Sequence, residues 1–170
     1  MGKVTPLKLA VLVSGGGSNL QAIIDACKTP DYPAEIVLVF SNQLDAGGLE
    51  RARRAGIRAE AISHKGFEGG REAYDSTVSN LIEESGADLV VLAGYLRLVS
   101  ESFVTRWEGR LINIHPSLLP SFKGLHVHQA ALDAGVKYSG CTVHYVVPEV
   151  DSGPIIAQAV VPVLPGDDAG

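Results

Sequence analysis

Apolar residues in the first two thirds of the chain form short runs separated by longer amphipathic stretches. Runs rich in β-branched residues, which favour strands, lie at 7–13, 34–40, 57–62, 88–93 and 111–114. Between them, apolar residues recur at helical spacing over 19–27, 46–55, 71–84 and 102–107. Strands that alternate with helices usually pair in parallel, so this order predicts a doubly wound parallel sheet.

The pattern changes after Pro116. Pro116, Pro120 and Gly124 indicate a loop, residues 126–134 have helical spacing, and 141–147 and 154–163 are strand-like with a short link. A short link favours an antiparallel pair. The predicted fold class is α/β, a doubly wound, mostly parallel Rossmann-like sheet with an antiparallel C-terminal hairpin. We expect one domain over residues 1–170, whose polar ending without a closing element is consistent with a missing C-terminal helix.

Composition and charge exclude several classes of protein. The formal net charge is -5, so no excess of basic residues favours a nucleic-acid backbone. No apolar run is long enough to span a bilayer, and no signal segment follows the N-terminus. Cys27 and Cys141 have no metal-binding spacing and are expected to be reduced thiols in a cytoplasm. His126 and His128, two apart at a predicted helix start, do not share a helical face, so we expect no metal.

A glycine-rich turn, Ser-Gly-Gly-Gly-Ser-Asn at 14–19, joins the first strand to the first helix. The amides of such a turn and the helix N-terminus together favour an anion, most often a phosphate. Leu20 stands where a GxGxxG dinucleotide motif needs glycine, and no Gly-Lys-Ser/Thr ends the turn. The alternative is a tight turn in which Ser18 caps the helix and Gln21 reaches back to it, and both roles can coexist.

Two polar side chains lie at the end of the apolar strand that begins at Leu111. Asn113 and His115 are two apart and therefore share one face of the strand, while Ile112 and Ile114 point to the other. Open α/β sheets bind ligands at the carboxyl ends of their strands. Taken alone, the pair is more often a satisfied core histidine and a strand-end cap.

The loop 148–154, Pro-Glu-Val-Asp-Ser-Gly-Pro, offers His115 a carboxylate partner. Asp151 near the imidazole would orient it and favour its charged form, which suits a histidine that donates to an oxyanion and handles an amine proton. The alternative for Asp151 is a cap of its own turn. His144 alternates with its neighbours on the next predicted strand and is a candidate for the same cleft, although a lone histidine is more often structural.

Together these residues resemble the folate-dependent formyltransferase family, whose core carries Asn and His two apart and a later Asp in a loop ending in Gly-Pro. Here those residues are Asn113, His115 and Asp151. Within that family, 14–21 is similar to the phosphate loop of the members that act on glycinamide ribonucleotide, and 113–120 to their central signature. The similarity extends from about Leu7 to Asp167.

The resemblance implies a role for each motif. Asn113, His115 and Asp151 would be catalytic, with His144 in support. The phosphate of glycinamide ribonucleotide would be held by Gly17, Ser18 and Asn19. The folate would be contacted by Arg71, Leu96, Arg97, Leu98, Val99, Asn113, Val147, Pro148, Glu149, Val150 and Asp151. Without the resemblance, Arg71 would be interpreted as a solvated charge and 96–99 as plain core.

The implied activity is transfer of the formyl group of 10-formyltetrahydrofolate, a co-substrate, to the amine of glycinamide ribonucleotide in de novo purine synthesis. The Asn113 amide and protonated His115 would stabilise the tetrahedral oxyanion, and Asp151 would keep His115 charged. We expect a cytoplasmic enzyme, monomer or homodimer, with small-molecule substrates and neither metal, nucleic-acid nor membrane partner.

Three other functions compete with this one. A formyltetrahydrofolate deformylase shares the Asn, His and Asp set but usually carries an extra N-terminal domain, and the phosphate turn favours a phosphorylated acceptor over water. A methionyl-transfer-RNA formyltransferase would need a C-terminal nucleic-acid-binding domain and a basic surface. A non-catalytic nucleotide-binding module would explain the turn but not Asn113, His115 and Asp151.

Overall fold

The computed structural model describes residues 5–170, which divide into two compact units, one up to Leu111 and the other from Ile112. The elements follow one another along the chain in the order β1 Leu7–Val13, α1 Ser18–Cys27, β2 Ala34–Ser41, α2 Gly47–Arg54, β3 Ala59–Ala61, α3 Gly70–Glu84, β4 Leu89–Leu92, α4 Glu101–Arg106, β5 Leu111–His115, α5 Val127–Asp133, β6 Tyr138–Tyr145 and β7 Ile155–Pro162.

The first unit contains four parallel strands in the order β3-β2-β1-β4. The central strands are nearly continuous apolar runs, because helices connect the strands and parallel sheets are covered on their faces. The fully buried side chains include Leu12 of β1, Phe40 of β2, Leu20 of α1 and Ile82 of α3. Ser14 directly follows β1 and Asn42 directly follows β2, so both lie at the carboxyl ends of these parallel strands. Ser14 is also the first residue of the glycine-rich turn.

The second unit contains β5, β6 and β7 as consecutive antiparallel pairs. The register of β5 and β6 sets Asn113 opposite His144 and His115 opposite Thr142. The link between β6 and β7 is the loop that carries Asp151. This short connection gives the antiparallel pairing that the sequence predicts.

The predicted fold class, α/β with a mostly parallel Rossmann-like sheet and antiparallel C-terminal strands, is confirmed. Boundaries differ by a few residues, most of all at β3, which is three residues long where six were predicted. The predicted cap at Ser18 is wrong. Gly17 occupies the N-cap position in the left-handed region, with φ 73°, and no side chain caps the helix. Gln21 instead bonds Asp25 and accepts from Arg51.

Candidate active site and substrate-binding segments

Asp151 and two histidines converge at the end of β5 and β6. Asp151 Oδ1 lies 3.5 Å from His115 Nδ1 and 3.8 Å from His144 Nε2, and all three side chains are nearly buried. The other oxygen, Oδ2, accepts a hydrogen bond from Gly124 N at 2.9 Å, and Asp151 itself has φ 50°. Asp151 therefore uses its carboxylate on distant parts of the chain rather than as the cap of its own turn.

His144 fixes the orientation of the Asn113 amide. Its Nδ1 lies 2.9 Å from Tyr145 O, and a carbonyl only accepts, so Nδ1 carries a proton. In the neutral ring Nε2 is then an acceptor, and Asn113 Nδ2 lies 3.2 Å from it. The amide thus donates one hydrogen to His144 and keeps its second hydrogen for another partner, and the supporting role of His144 stays a prediction.

His115 faces a hydrogen-bond acceptor on each side. Its Nε2 lies 2.8 Å from Phe122 O, while its Nδ1 faces the Asp151 carboxylate. The Phe122 carbonyl can only accept, so Nε2 carries a proton, and the charged carboxylate of Asp151 lies beside the other ring nitrogen. Ser117 Oγ donates to Ser121 O at 2.6 Å and lies 3.1 Å from Phe122 O, so it holds the turn that carries this carbonyl.

The loop after β5 is attached to β6 by residues that sequence reasoning missed. The Thr142 hydroxyl is fully buried, donates to Ser117 O at 2.7 Å and accepts from Leu119 N at 3.0 Å. Gln158 Nε2 donates to Leu119 O and to Thr142 Oγ1. These bonds hold the loop that supplies the partners of His115 and Asp151, and the register of Thr142 opposite His115 becomes a usable signal only once strand pairing is known.

The glycine-rich turn has the backbone of an anion site. A Cβ on Gly15 or Gly16 would meet nothing within 4 Å, so the turn is open, whereas a Cβ on Gly17 would lie 2.7 Å from Gly48 Cα. Ser18 and Asn19, at the start of the ten-residue helix α1, are exposed. Open backbone followed by a helix N-terminus is the arrangement that binds phosphate, and the assignment of Gly17, Ser18 and Asn19 stays a prediction.

A second feature of the first unit is the irregular segment 95–99 between β4 and α4. Leu96 and Leu98 are 76% and 60% exposed, so the alternative that they are plain core is wrong. Arg97 between them turns inward, where its guanidinium lies 4.5 Å from the centre of the Tyr74 ring and 3.5 Å from Asp75. Burial raises the pKa of the Tyr74 hydroxyl, which stays neutral beside this cation.

The remaining predicted folate contacts are accessible. Arg71 lies exposed in the first turn of α3, Val147 is half-buried, and residues 148–150 are exposed in the loop that precedes Asp151. Their roles stay predictions. Within residues 5–170 no group of three or more histidine, cysteine or acidic residues is arranged to hold a metal ion. Over the same residues no helix combines the length and the apolar character needed to cross a membrane.

Known proteins are similar in sequence to most of this chain. The phosphoribosylglycinamide formyltransferase of Escherichia coli is 52% identical over 161 residues, which are 95% of this chain and 76% of that protein. The trifunctional purine biosynthetic protein adenosine-3 of Gallus gallus is also 52% identical over 161 residues, but the chain spans only 16% of its length.

Solved structures of similar proteins superpose closely on this chain. Glycinamide ribonucleotide transformylase 1 from Symbiobacterium toebii superposes with a TM-score of 0.92 at 48% identity, over 96% of this chain and 77% of that one. Phosphoribosylglycinamide formyltransferase from Brucella melitensis gives a TM-score of 0.91 at 50% identity, over 97% and 84%. The formyl transferase family model matches residues 7–170. The predicted resemblance is thereby confirmed, and the chain belongs to the formyl transferase family.

Proposed function

We propose that the chain transfers the formyl group of 10-formyltetrahydrofolate to the amine of glycinamide ribonucleotide, giving formylglycinamide ribonucleotide and tetrahydrofolate in de novo purine synthesis. Membership of the formyl transferase family supports the reaction class. Relatives named phosphoribosylglycinamide formyltransferase support the acceptor. The observation that carries the proposal is the convergence of His115, His144 and Asp151 beside Asn113.

The chemistry forms one carbon–nitrogen bond and breaks another. The substrate amine attacks the formyl carbon, the bond from that carbon to the folate nitrogen breaks, and one proton passes from the amine to the folate nitrogen. The formyl oxygen carries negative charge at the tetrahedral stage. Donors already oriented before reaction stabilise such an oxyanion most, and the second hydrogen of the Asn113 amide is one such donor.

His115 supplies the other donor. Asp151 faces its Nδ1, so the positive charge has a buried counter-charge, and Nε2 donates to Phe122 O in the substrate-free geometry. During the reaction Nε2 exchanges that carbonyl for the oxyanion or for a water that relays the amine proton. The exchange conserves one hydrogen bond, which keeps its cost small.

Two sets of contacts complete the proposal. Gly17, Ser18 and Asn19 hold the nucleotide phosphate, and the exposed Leu96 and Leu98 offer an apolar surface to the pterin. The other folate contacts are Arg71, Arg97, Val99, Val147, Pro148, Glu149, Val150, Asn113 and Asp151. Residues 1–170 belong to a single formyltransferase domain, and the enzyme works in the cytoplasm, as a monomer or homodimer and without a metal, a nucleic acid or a membrane.

The deciding experiment measures dependence on the acceptor. Purified protein is mixed with 10-formyltetrahydrofolate, and the deformylated folate is followed spectroscopically with and without glycinamide ribonucleotide. Product only with the nucleotide supports the transferase. Equal product without it identifies the deformylase reaction instead, and a chain that binds the nucleotide but forms no product under either condition is the non-catalytic module.

A matched pair of variants tests the catalytic assignment. His115→Ala removes the imidazole beside Asp151, and His128→Ala removes an exposed imidazole from α5. We expect turnover to fall by roughly 100-fold or more only in the first, because a positioned acid or base contributes about 10²–10⁴. Near-normal turnover of folded His115→Ala would contradict the catalytic role of His115.

A further inference from the structure

Ser14, the first residue of the glycine-rich turn, is hydrogen-bonded to the segment that carries Leu96. Ser14 N donates to Gly94 O at 2.9 Å, and Leu96 N donates to Ser14 Oγ at 2.8 Å. These two bonds enclose the first residues of the segment 95–99. Ser14 is also the direct neighbour of Gly15, so one residue belongs to both segments.

The Ser14 hydroxyl is held in a single orientation. It donates to Asn42 Oδ1 at 2.6 Å, and Asn42 is 1% exposed at the end of β2. The Asn42 amide nitrogen in turn lies 3.3 Å from His64 Nδ1. Because its own hydrogen is directed at Asn42, the oxygen presents its lone pairs to Leu96 N, and a rotation of the hydroxyl would cost one of the two bonds.

The glycine-rich turn is also hydrogen-bonded to helix α2. Gly48 N donates to Gly15 O at 3.0 Å, and the Arg51 guanidinium donates to Gly16 O. A ligand that shifts the backbone of residues 15–17 therefore meets a fixed helix α2 on one side and Ser14 on the other. Ser14 is hydrogen-bonded to Leu96, whose segment 95–99 contains no helix or strand.

We propose that Ser14 is a positioning residue that couples the phosphate turn to the segment 95–99, so that bound nucleotide strengthens folate binding and bound folate strengthens nucleotide binding. The inference rests on the proposed function, which assigns the two ligands to these segments. Coupling between two sites is reciprocal, and the same factor applies to both affinities.

The test compares wild type with Ser14→Ala, which removes the hydroxyl, and with Ser14→Thr, which retains it. The dissociation constant of a stable 10-formyl folate analogue is measured by calorimetry with and without saturating glycinamide ribonucleotide. We expect wild type to bind the analogue at least about 5-fold more tightly with nucleotide, as is typical of coupled sites. The ratio should fall to within about 2-fold of one in Ser14→Ala and recover in Ser14→Thr.

A structural role alone would weaken both ligands and leave the ratio unchanged, so an unaltered ratio in Ser14→Ala overturns the proposal. So does a ratio of one in wild type. Wild type that binds neither ligand would instead refute the proposed function.

A second measurement uses the wild-type protein alone. The amide cross-peak of Leu96 in wild type should move when nucleotide alone is added. A cross-peak that stays in place at saturating nucleotide overturns the coupling.

Discussion

Replacing Thr142 with valine tests how the loop beside His115 is held. The substitution keeps the shape of the side chain and removes only its hydroxyl. Leu119 N and Ser117 O then lose their partner in a site where Thr142 is fully buried. A buried polar group left without a partner costs about 1–3 kcal/mol. Two such groups in a loop that relaxes in part give an expected loss of about 3 kcal/mol of unfolding free energy.

The matched control is Thr142→Ser, which retains the hydroxyl and removes one buried methyl group. That change costs about 1 kcal/mol. We therefore expect the valine variant to be less stable than the serine variant by about 2 kcal/mol, although valine is the more apolar residue.

Unfolding in urea, followed by far-ultraviolet circular dichroism, gives both free energies by linear extrapolation. Turnover is measured on the same preparations, and we expect it to fall further in the valine variant. The reason is that the loop supplies Phe122 O to His115 and Gly124 N to Asp151. A valine variant as stable as the serine variant would refute the reasoning, because it would mean that these hydrogen bonds contribute nothing net.

Three other predictions address separate parts of the molecule. Asp151→Asn removes the charge that faces the histidines, and we expect turnover to fall by roughly 10²–10⁴; a loss below tenfold in steady-state assays would contradict the assignment. Gly17→Ala puts a residue with a Cβ at a left-handed backbone position, which costs about 1–2 kcal/mol. The added Cβ would also lie 2.7 Å from Gly48 Cα. The KM for nucleotide should rise at least about tenfold, and an unchanged KM would count against the phosphate site. Burial, and to a smaller extent the negative charge of Glu35, raise the pKa of the Cys27 thiol. The rate of its alkylation by iodoacetamide should therefore still increase above pH 9. A rate that reaches a plateau below pH 8 would contradict this prediction.

The sequence predicts those elements whose pattern of apolar and polar residues repeats with the period of a strand or a helix. Alternation of apolar runs with amphipathic stretches predicts the strand and helix order, and a spacing of two predicts that Asn113 and His115 share a face. Asp151 lies 36 positions beyond His115, and no local pattern shows that the two meet. The resemblance to the family supplied that contact, and the distances between the two side chains agree with it.

Other parts of the site have no periodic signal. Ser14, Asn42 and Thr142 act through single hydroxyl or amide groups whose partners are 16 to 82 residues away along the chain. Phe122 contributes only its backbone carbonyl, a group that every residue carries. Such bonds are fixed by the tertiary fold, so they are found after the strands have been paired and not before.

The segment around Arg97 shows how a polar residue on a distant helix can invert a hydropathy prediction. Without the family resemblance, 96–99 would be interpreted as plain core, yet Leu96 and Leu98 are exposed and Arg97 turns inward. The cause is Asp75, whose carboxylate is buried on the apolar face of α3, three residues before Val78 and seven before Ile82. A buried charge needs partners, and Asp75 takes the Arg97 guanidinium and the backbone amide of Ser100. An aspartate at helical spacing within an apolar face therefore predicts an inward-turned cation elsewhere in the chain. The leucines beside that cation are left on the surface, as the proposed pterin contact requires.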